Sequence, residues 1–301
     1  MNTEQARLPA DKEETMYGIT KVLVAVDTRK EQQLALNRAS QICRKAGAAL
    51  HILAPNPKAN AGSMARLEAM AEPLMTEGLE VYLHETWTGS ATETIIHVRQ
   101  VERCHLVVKD AKPVNALKKA FATPEDWSLL RRCRVPVLLV QSDAPWDRAP
   151  ILASINADPK DYYHSVLNQA ILQYATEFAD AFSSELHLAT AYPTTMLAIQ
   201  DEGDGLTDKD TYKKRCQEYA REYQLNENNL HVEPGPTETL MPALLTKTNA
   251  QLLILGTHAR TGISAIAIGN TAEQLISEIS TDILVLQPKH HMIPLQRELS
   301  R

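Results

Sequence analysis

The chain repeats itself, and that limits its fold more than any other feature. Thr92-Glu93-Thr94-Ile95 returns as Thr237-Glu238-Thr239-Leu240, 145 positions on. His105-Leu106-Val107-Val108 returns as Gln251-Leu252-Leu253-Ile254, and Val137-Leu138-Leu139-Val140 as Ile283-Leu284-Val285-Leu286, both at 146. Leu50-His51-Ile52-Leu53 matches Leu186-His187-Leu188-Ala189 at 136, so an insertion of about ten residues separates the two registers. Several matches in the same order make an internal duplication. Whatever one half folds into, the other must fold into as well.

Each half alternates short apolar runs with helical patterns. In the first half, buried-type strands are expected at 21–27, 49–54, 79–85, 105–109 and 136–140. The 21–27 run, KVLVAVD, is continuous and rich in β-branched residues. A helix follows it, with Leu36, Ala39, Cys43 and Ala46 on one face. Ser63 is the expected N-cap of a helix to residue 77, and Ser90 of one to residue 102. Thr123-Pro124-Glu125-Asp126 combines a cap, a first-turn proline and acids at the positive helix end. The second half repeats this order. Strands are expected near 151–155, 185–191, 229–233, 250–255 and 282–286, with helices near 161–182, 207–223, 237–247 and 270–279.

Five strands alternating with four helices specify a parallel sheet covered on both faces, with ligands bound beyond the carboxyl ends of the strands. The expected organisation is a flexible tail at 1–20, a first domain at 21–141, a linker at 142–150, a second domain at 151–288 and a tail at 289–301. The linker holds Pro145, Trp146 and Pro150 and is short, so the halves should pack as an intramolecular pseudo-dimer. The ends of the runs at Val140 and Leu286 are the expected junction, because pairing them hides exposed backbone groups.

Composition narrows the function. A net charge of −6 and a pI near 5.9 argue against a general nucleic-acid binder. Cys43, Cys104, Cys133 and Cys216 show neither metal-ligand spacing nor a disulfide framework. His290-His291 has no further ligands at metal spacing, so no metal is expected. His51 and His187 lie in apolar strands and read as satisfied core groups. The first 20 residues lack a signal-peptide core, and no apolar stretch approaches the ~20 residues a membrane span needs. The expected location is the cytoplasm. No Ser or Cys sits in a nucleophile elbow and no paired carboxylates stand out, so the chain reads as non-catalytic.

One segment carries a binding signature. Gly256-Thr257-His258-Ala259-Arg260-Thr261-Gly262 follows the fourth strand of the second half, and Gly269-Asn270-Thr271-Ala272-Glu273 opens the next helix. Gly256 would permit an unusual turn. The free N–H groups of the helix start form an anion site, to which His258 or Arg260 adds a donor. Gly256 and Gly269 equally fit plain turn and cap residues.

This stretch resembles the phosphate loop of the universal stress protein family, whose nucleotide-binding members carry G-x2-G-x9-G-[ST]. The chain from about residue 21 to 288 is similar to the family's tandem, E-type members. The resemblance implies two flavodoxin-like (Usp/HUP-type) α/β domains, each a five-stranded parallel sheet with helices on both faces. It further implies stress-linked function and, in some members, ATP binding. Gly256 and Gly269 take the first and third glycine positions, Ala259 replaces the second, and Asn270 replaces the hydroxyl residue, with Thr271 next. The adenine-contacting acid is Asn156 in the second half and Asp27 in the first, where both equally fit simple capping residues. In the first half the loop has become Asp110-Ala111-Lys112-Pro113, with Thr123-Pro124 in place of the glycine pair. The pocket in the second half, built from Asn156, Gly256, Thr257, His258, Arg260, Gly269, Asn270 and Thr271, is therefore the better kept. The ligand expected is ATP, a related nucleotide or another small molecule. A weak ATPase and an adaptor for an apolar or nucleotide-linked metabolite or a protein are the alternatives, and a homodimer of the whole chain is a further possible assembly.

Overall fold

The apolar runs form strands, and all of them lie in one sheet. The computed structural model describes residue 16 and residues 18–111, 124–158, 162–192, 208–257 and 270–287. The first half contributes β1 (Lys21–Ala25), β2 (Ala49–Pro55), β3 (Val81–Thr86), β4 (Leu106–Asp110) and β5 (Val137–Val140). The second contributes β6 (Ile151–Ser154), β7 (Leu186–Tyr192), β8 (Leu230–Pro234), β9 (Leu252–Gly256) and β10 (Asp282–Leu286). Helices α1 (Leu34–Ala46), α2 (Ala61–Thr76), α3 (Ala91–Glu102) and α4 (Pro124–Arg132) alternate with the first set. Helices α5 (Tyr162–Phe182), α6 (Asp208–Glu222), α7 (Thr237–Thr248) and α8 (Asn270–Glu278) alternate with the second.

The strand order is β3-β2-β1-β4-β5-β10-β9-β6-β7-β8. Within each half every pairing is parallel. Central strands such as β4 are apolar on both faces because both are covered: Leu106 and Val108 join one core, Val107 the other. Helices α1, α2, α5 and α6 bury residues in the first core, and α3, α4, α7 and α8 in the second.

Two helix starts, those of α2 and α3, carry side-chain caps, one of them not the residue expected. Ser90 caps α3, its Oγ accepting from Glu93 N at 3.1 Å. The cap of α2, however, is Asn60 rather than Ser63. Asn60 Oδ1 accepts from Gly62 N (2.9 Å) and Ser63 N (3.1 Å), while Ser63 Oγ accepts from Asn60 N (3.0 Å). This reciprocal box satisfies more orphan amides than a lone serine, so the cap lies three residues earlier than expected.

The halves join through β5 and β10, which pair antiparallel. Leu138 stands opposite Leu284, Val137 opposite Val285 and Leu139 opposite Ile283. Leu138 and Leu284 are repeat equivalents, so a twofold axis relating the halves passes through that pair. Each strand would otherwise be an apolar edge.

A buried polar knot fixes the seam. The Asp282 carboxylate accepts through Oδ1 from Gln141 N (2.7 Å) and Ser142 N (3.0 Å). Its Oδ2 accepts from Arg38 Nε (3.0 Å) and Trp146 Nε1 (3.1 Å). Arg38 also donates to Ala144 O at 2.7 Å and lies 4.2 Å over the Trp146 ring. Trp146 is only 3% exposed and packs edge-on against Phe178 and Phe182. Trp146 of the expected linker is thus part of the core. Burial is the largest influence on both charged partners, raising the Asp282 pKa and lowering that of Arg38, and their attraction opposes it.

Asp282→Ala strands a buried guanidinium and three N–H donors, and should cost about 3–5 kcal/mol of stability. Arg38→Met leaves the carboxylate its other donors and should cost about 1–3 kcal/mol. Urea unfolding of the two variants checks this ranking, and the reverse order would sink it.

Candidate ligand site

In a doubly wound sheet, strand order reverses where consecutive crossovers diverge to opposite sides, leaving a crevice at the strand ends. In the first half that point lies between β1 and β4, which are direct neighbours. A cleft of about 540 Å³ opens there, bounded by residues after β1, β2, β3 and β4. Its size falls in the range of small-molecule sites.

Asp27 lines this cleft just after β1. Arg29 grips it as a fork, Nε to Oδ1 and Nη2 to Oδ2 both at 2.9 Å, and Arg29 N also donates to Oδ1 at 3.1 Å. The Arg29 side chain is 82% exposed, so the pair is weak and a ligand can displace it. Asp110 closes the other wall. Its Oδ1 accepts from Ala35 N at the start of α1 (2.7 Å) and its Oδ2 pairs with Lys30 (3.2 Å). Deeper in, Lys109 pairs with fully buried Asp126 in the first turn of α4. Lys58, Arg66 and Trp87 also line the cleft, and Trp87 is exposed. Sequence reasoning missed these three, because loop side chains carry no periodic signal.

In the second half, the residues expected at the site are mostly engaged in holding the strand ends. Asn156 Oδ1 accepts from Asp158 N at 3.0 Å, an Asx turn matching the one Asp27 makes with Arg29. Buried Asn168 clamps the Asn156 backbone from α5, its Nδ2 donating to Asn156 O at 2.6 Å. Thr257 is buried; its N and Oγ1 both donate to Leu286 O, at 2.8 and 3.3 Å. Gly256 is the last residue of β9. Its glycine is explained by close approach rather than by an unusual turn, since a Cβ there would lie within 3.0 Å of three Leu167 side-chain carbons. Asn270 and Thr271 form the first turn of α8, the expected free helix start. His258, Arg260 and Gly269 lie outside the described residues, as does 263–268.

The strand histidines are less satisfied than expected. His51 is 1% exposed and its Nδ1 meets His84 Nε2 at 3.0 Å, but Nε2 has no hydrogen-bond partner among the described residues. Burial first, then the neighbouring His84, push the His51 pKa down to about 4. Burial lowers that of His84 too.

Fold and cleft together define a class: two fused, doubly wound α/β domains of ligand-binding architecture. The family model described as "Universal stress protein family" matches residues 18–141 and 162–287. The chain belongs to that family, as a tandem member with one copy per half, and so to the stress-response proteins. It resembles the E-type members. It is 29% identical over 304 residues to universal stress protein E of Escherichia coli (strain K12), which spans 91% of this chain and 96% of that one. The Photorhabdus laumondii counterpart is 26% identical over 312 residues, covering 93% and 99%. Among solved structures, a Pseudomonas aeruginosa UCBPP-PA14 protein assigned to the same family superposes with a TM-score of 0.84 at 33% identity, covering 95% of this chain and 99% of that one. A universal stress protein from Archaeoglobus fulgidus DSM 4304 shares the fold at a TM-score of 0.58 and 16% identity, over 89% and 96%.

Gly256→Ala should destabilise the chain by about 1–3 kcal/mol through overpacking against Leu167. Pairing it with Leu167→Ala should lose less than the two single effects added together. Additive losses in chemical denaturation would show that the contact is not the reason for the glycine.

Proposed function

We propose that the chain is a non-catalytic, cytoplasmic stress-response protein whose two nucleotide-type pockets have degenerated unequally. The second half keeps the phosphate end. The observation that carries this is the exchange at one repeat position, Asp110 in the first half and Gly256 in the second. Both end the fourth strand of their half. A carboxylate there repels phosphate, and Asp110 already takes up the Ala35 amide at the start of α1. A glycine there carries no charge, the space beside it being taken by Leu167 from α5. The α8 start that follows supplies N–H donors.

The first-half cleft supports a second reading, an adaptor site for a small polar metabolite. Asp27 and Asp110 are each paired with a cation, Arg29 and Lys30, while Lys58, Arg66 and Trp87 offer a basic and aromatic side. Such a mixed lining suits a neutral or zwitterionic ligand better than a triphosphate. Among the described residues no helix is long and apolar enough to cross a membrane. The net charge of −6 supports a small-molecule rather than a nucleic-acid partner.

Equilibrium dialysis with labelled ATP tests the proposal. One saturable site is expected, abolished by Gly269→Trp and unchanged by Asp27→Ala, with no phosphate release above background. Binding that follows Asp27 instead, or no saturable binding at all, would overturn it.

A further inference from the structure

The duplication copied a histidine pair along with the sheet. On β2 and β3, His51 Nδ1 and His84 Nε2 are 3.0 Å apart; on β7 and β8, His187 Nδ1 and His231 Nε2 are 3.1 Å apart. In both halves the second histidine stands opposite the residue two after the first: His84 opposite Leu53, His231 opposite Ala189. The two sites therefore differ only in what surrounds an equivalent pair.

That difference is one charge at the end of one helix. Glu102 closes α3, and the residue that closes α7, 146 positions on, is Thr248, which follows Lys247 and carries no carboxylate. Glu102 Oε2 lies 3.8 Å from His51 Nδ1, on the same ring edge that faces His84. One ligand atom each from His51, His84 and Glu102 all fall within 4.8 Å of one another. In the second half a cation, Lys247, faces His231. The carboxylate there, Glu185, approaches His187 at Nε2, 3.8 Å away on the ring edge turned from the pair. No third ligand joins the second pair among the described residues.

The first-half geometry is close to what a metal needs. Tetrahedral zinc holds its nitrogen and oxygen ligands at about 2.0–2.2 Å, which places them about 3.3–3.6 Å from each other. The observed 3.0 and 3.8 Å bracket that span, so rotamer adjustment of Glu102 completes the set. His51 is held by stacking on Tyr82, with ring centroids 4.8 Å apart, and is fixed in place by the sheet. His84 is half-buried and the Glu102 side chain 30% exposed, so the site opens to solvent and leaves room for water as a fourth ligand. Two imidazoles and a carboxylate suit zinc-class divalent first-row ions over calcium or magnesium, which take all-oxygen sets.

We infer that the first half binds a zinc-class divalent cation through His51, His84 and Glu102, and that the second half does not. The site lies on the α3 side of the sheet and takes no residue from the ligand cleft. The inference is independent of the proposed nucleotide function.

Calorimetric titration of Zn²⁺ into the chelator-stripped full chain tests it. Wild type should bind one ion dependent on this cluster. His84→Ala and Glu102→Lys, both at solvent-accessible positions, should each weaken that ion on the order of tenfold or more. His231→Ala should leave it unchanged. Replacing Zn²⁺ by Co²⁺ should give the visible absorption of a tetrahedral centre in wild type and not in Glu102→Lys, with circular dichroism showing both chains folded. No binding by wild type, binding indifferent to His84 and Glu102, or binding that follows His231 would each overturn the inference.

Discussion

Asp282 holds the two halves in one arrangement. Its carboxylate gathers donors from α1, from the chain leaving β5 and from the indole of Trp146, and it begins β10. The antiparallel β5 and β10 pairing alone would fix register through three residue pairs. It would leave the angle between helices above and below it to apolar packing, which has no direction. A buried carboxylate with five short contacts is directional, and it costs heavily when any donor is missing. The first-half cleft sits at strand ends of the sheet that this knot helps to hold together.

The order and class of elements were legible because duplication doubles every signal. An apolar run of four or five residues is ambiguous alone, but the same run at the same offset between helical patterns is not. What stayed hidden was long-range. Trp146 sits between prolines and reads as linker, yet Phe178 and Phe182, far along the chain, make it core. Arg38 and Asp282 are 244 positions apart and no local pattern connects them. Gly256 was identified correctly as a special position, but its cause is the approach of Leu167 from α5, which spacing cannot reveal.

The histidines make the same point about chemistry. His51 looks like an isolated core residue because its partner lies 33 positions away on β3, and Glu102 a helix beyond. One signal was present: a histidine in the second strand of each half, with another in the third. Strand pairing turns that repetition into contact, and only the helix end decides whether the contact has a carboxylate or an ammonium beside it.

Fusion changes what such differences can do. In a dimer of identical chains, any substitution enters both pockets, so an acid that closes one phosphate end closes the other. In a covalent tandem the seam must stay mutually complementary, and here it does: Leu138 faces its own repeat equivalent. The strand ends are free of that constraint, because each belongs to one half alone. Asp110 against Gly256 and Glu102 against Thr248 both lie at such ends, one at a strand terminus and one at a helix terminus. The Glu102 exchange alters charge at a partly exposed helix end and disturbs neither apolar core, whereas the Gly256 exchange also involves the packing of Leu167 against the strand end. A change of charge at a partly exposed end costs the fold little, provided the knot at Asp282 keeps the halves joined.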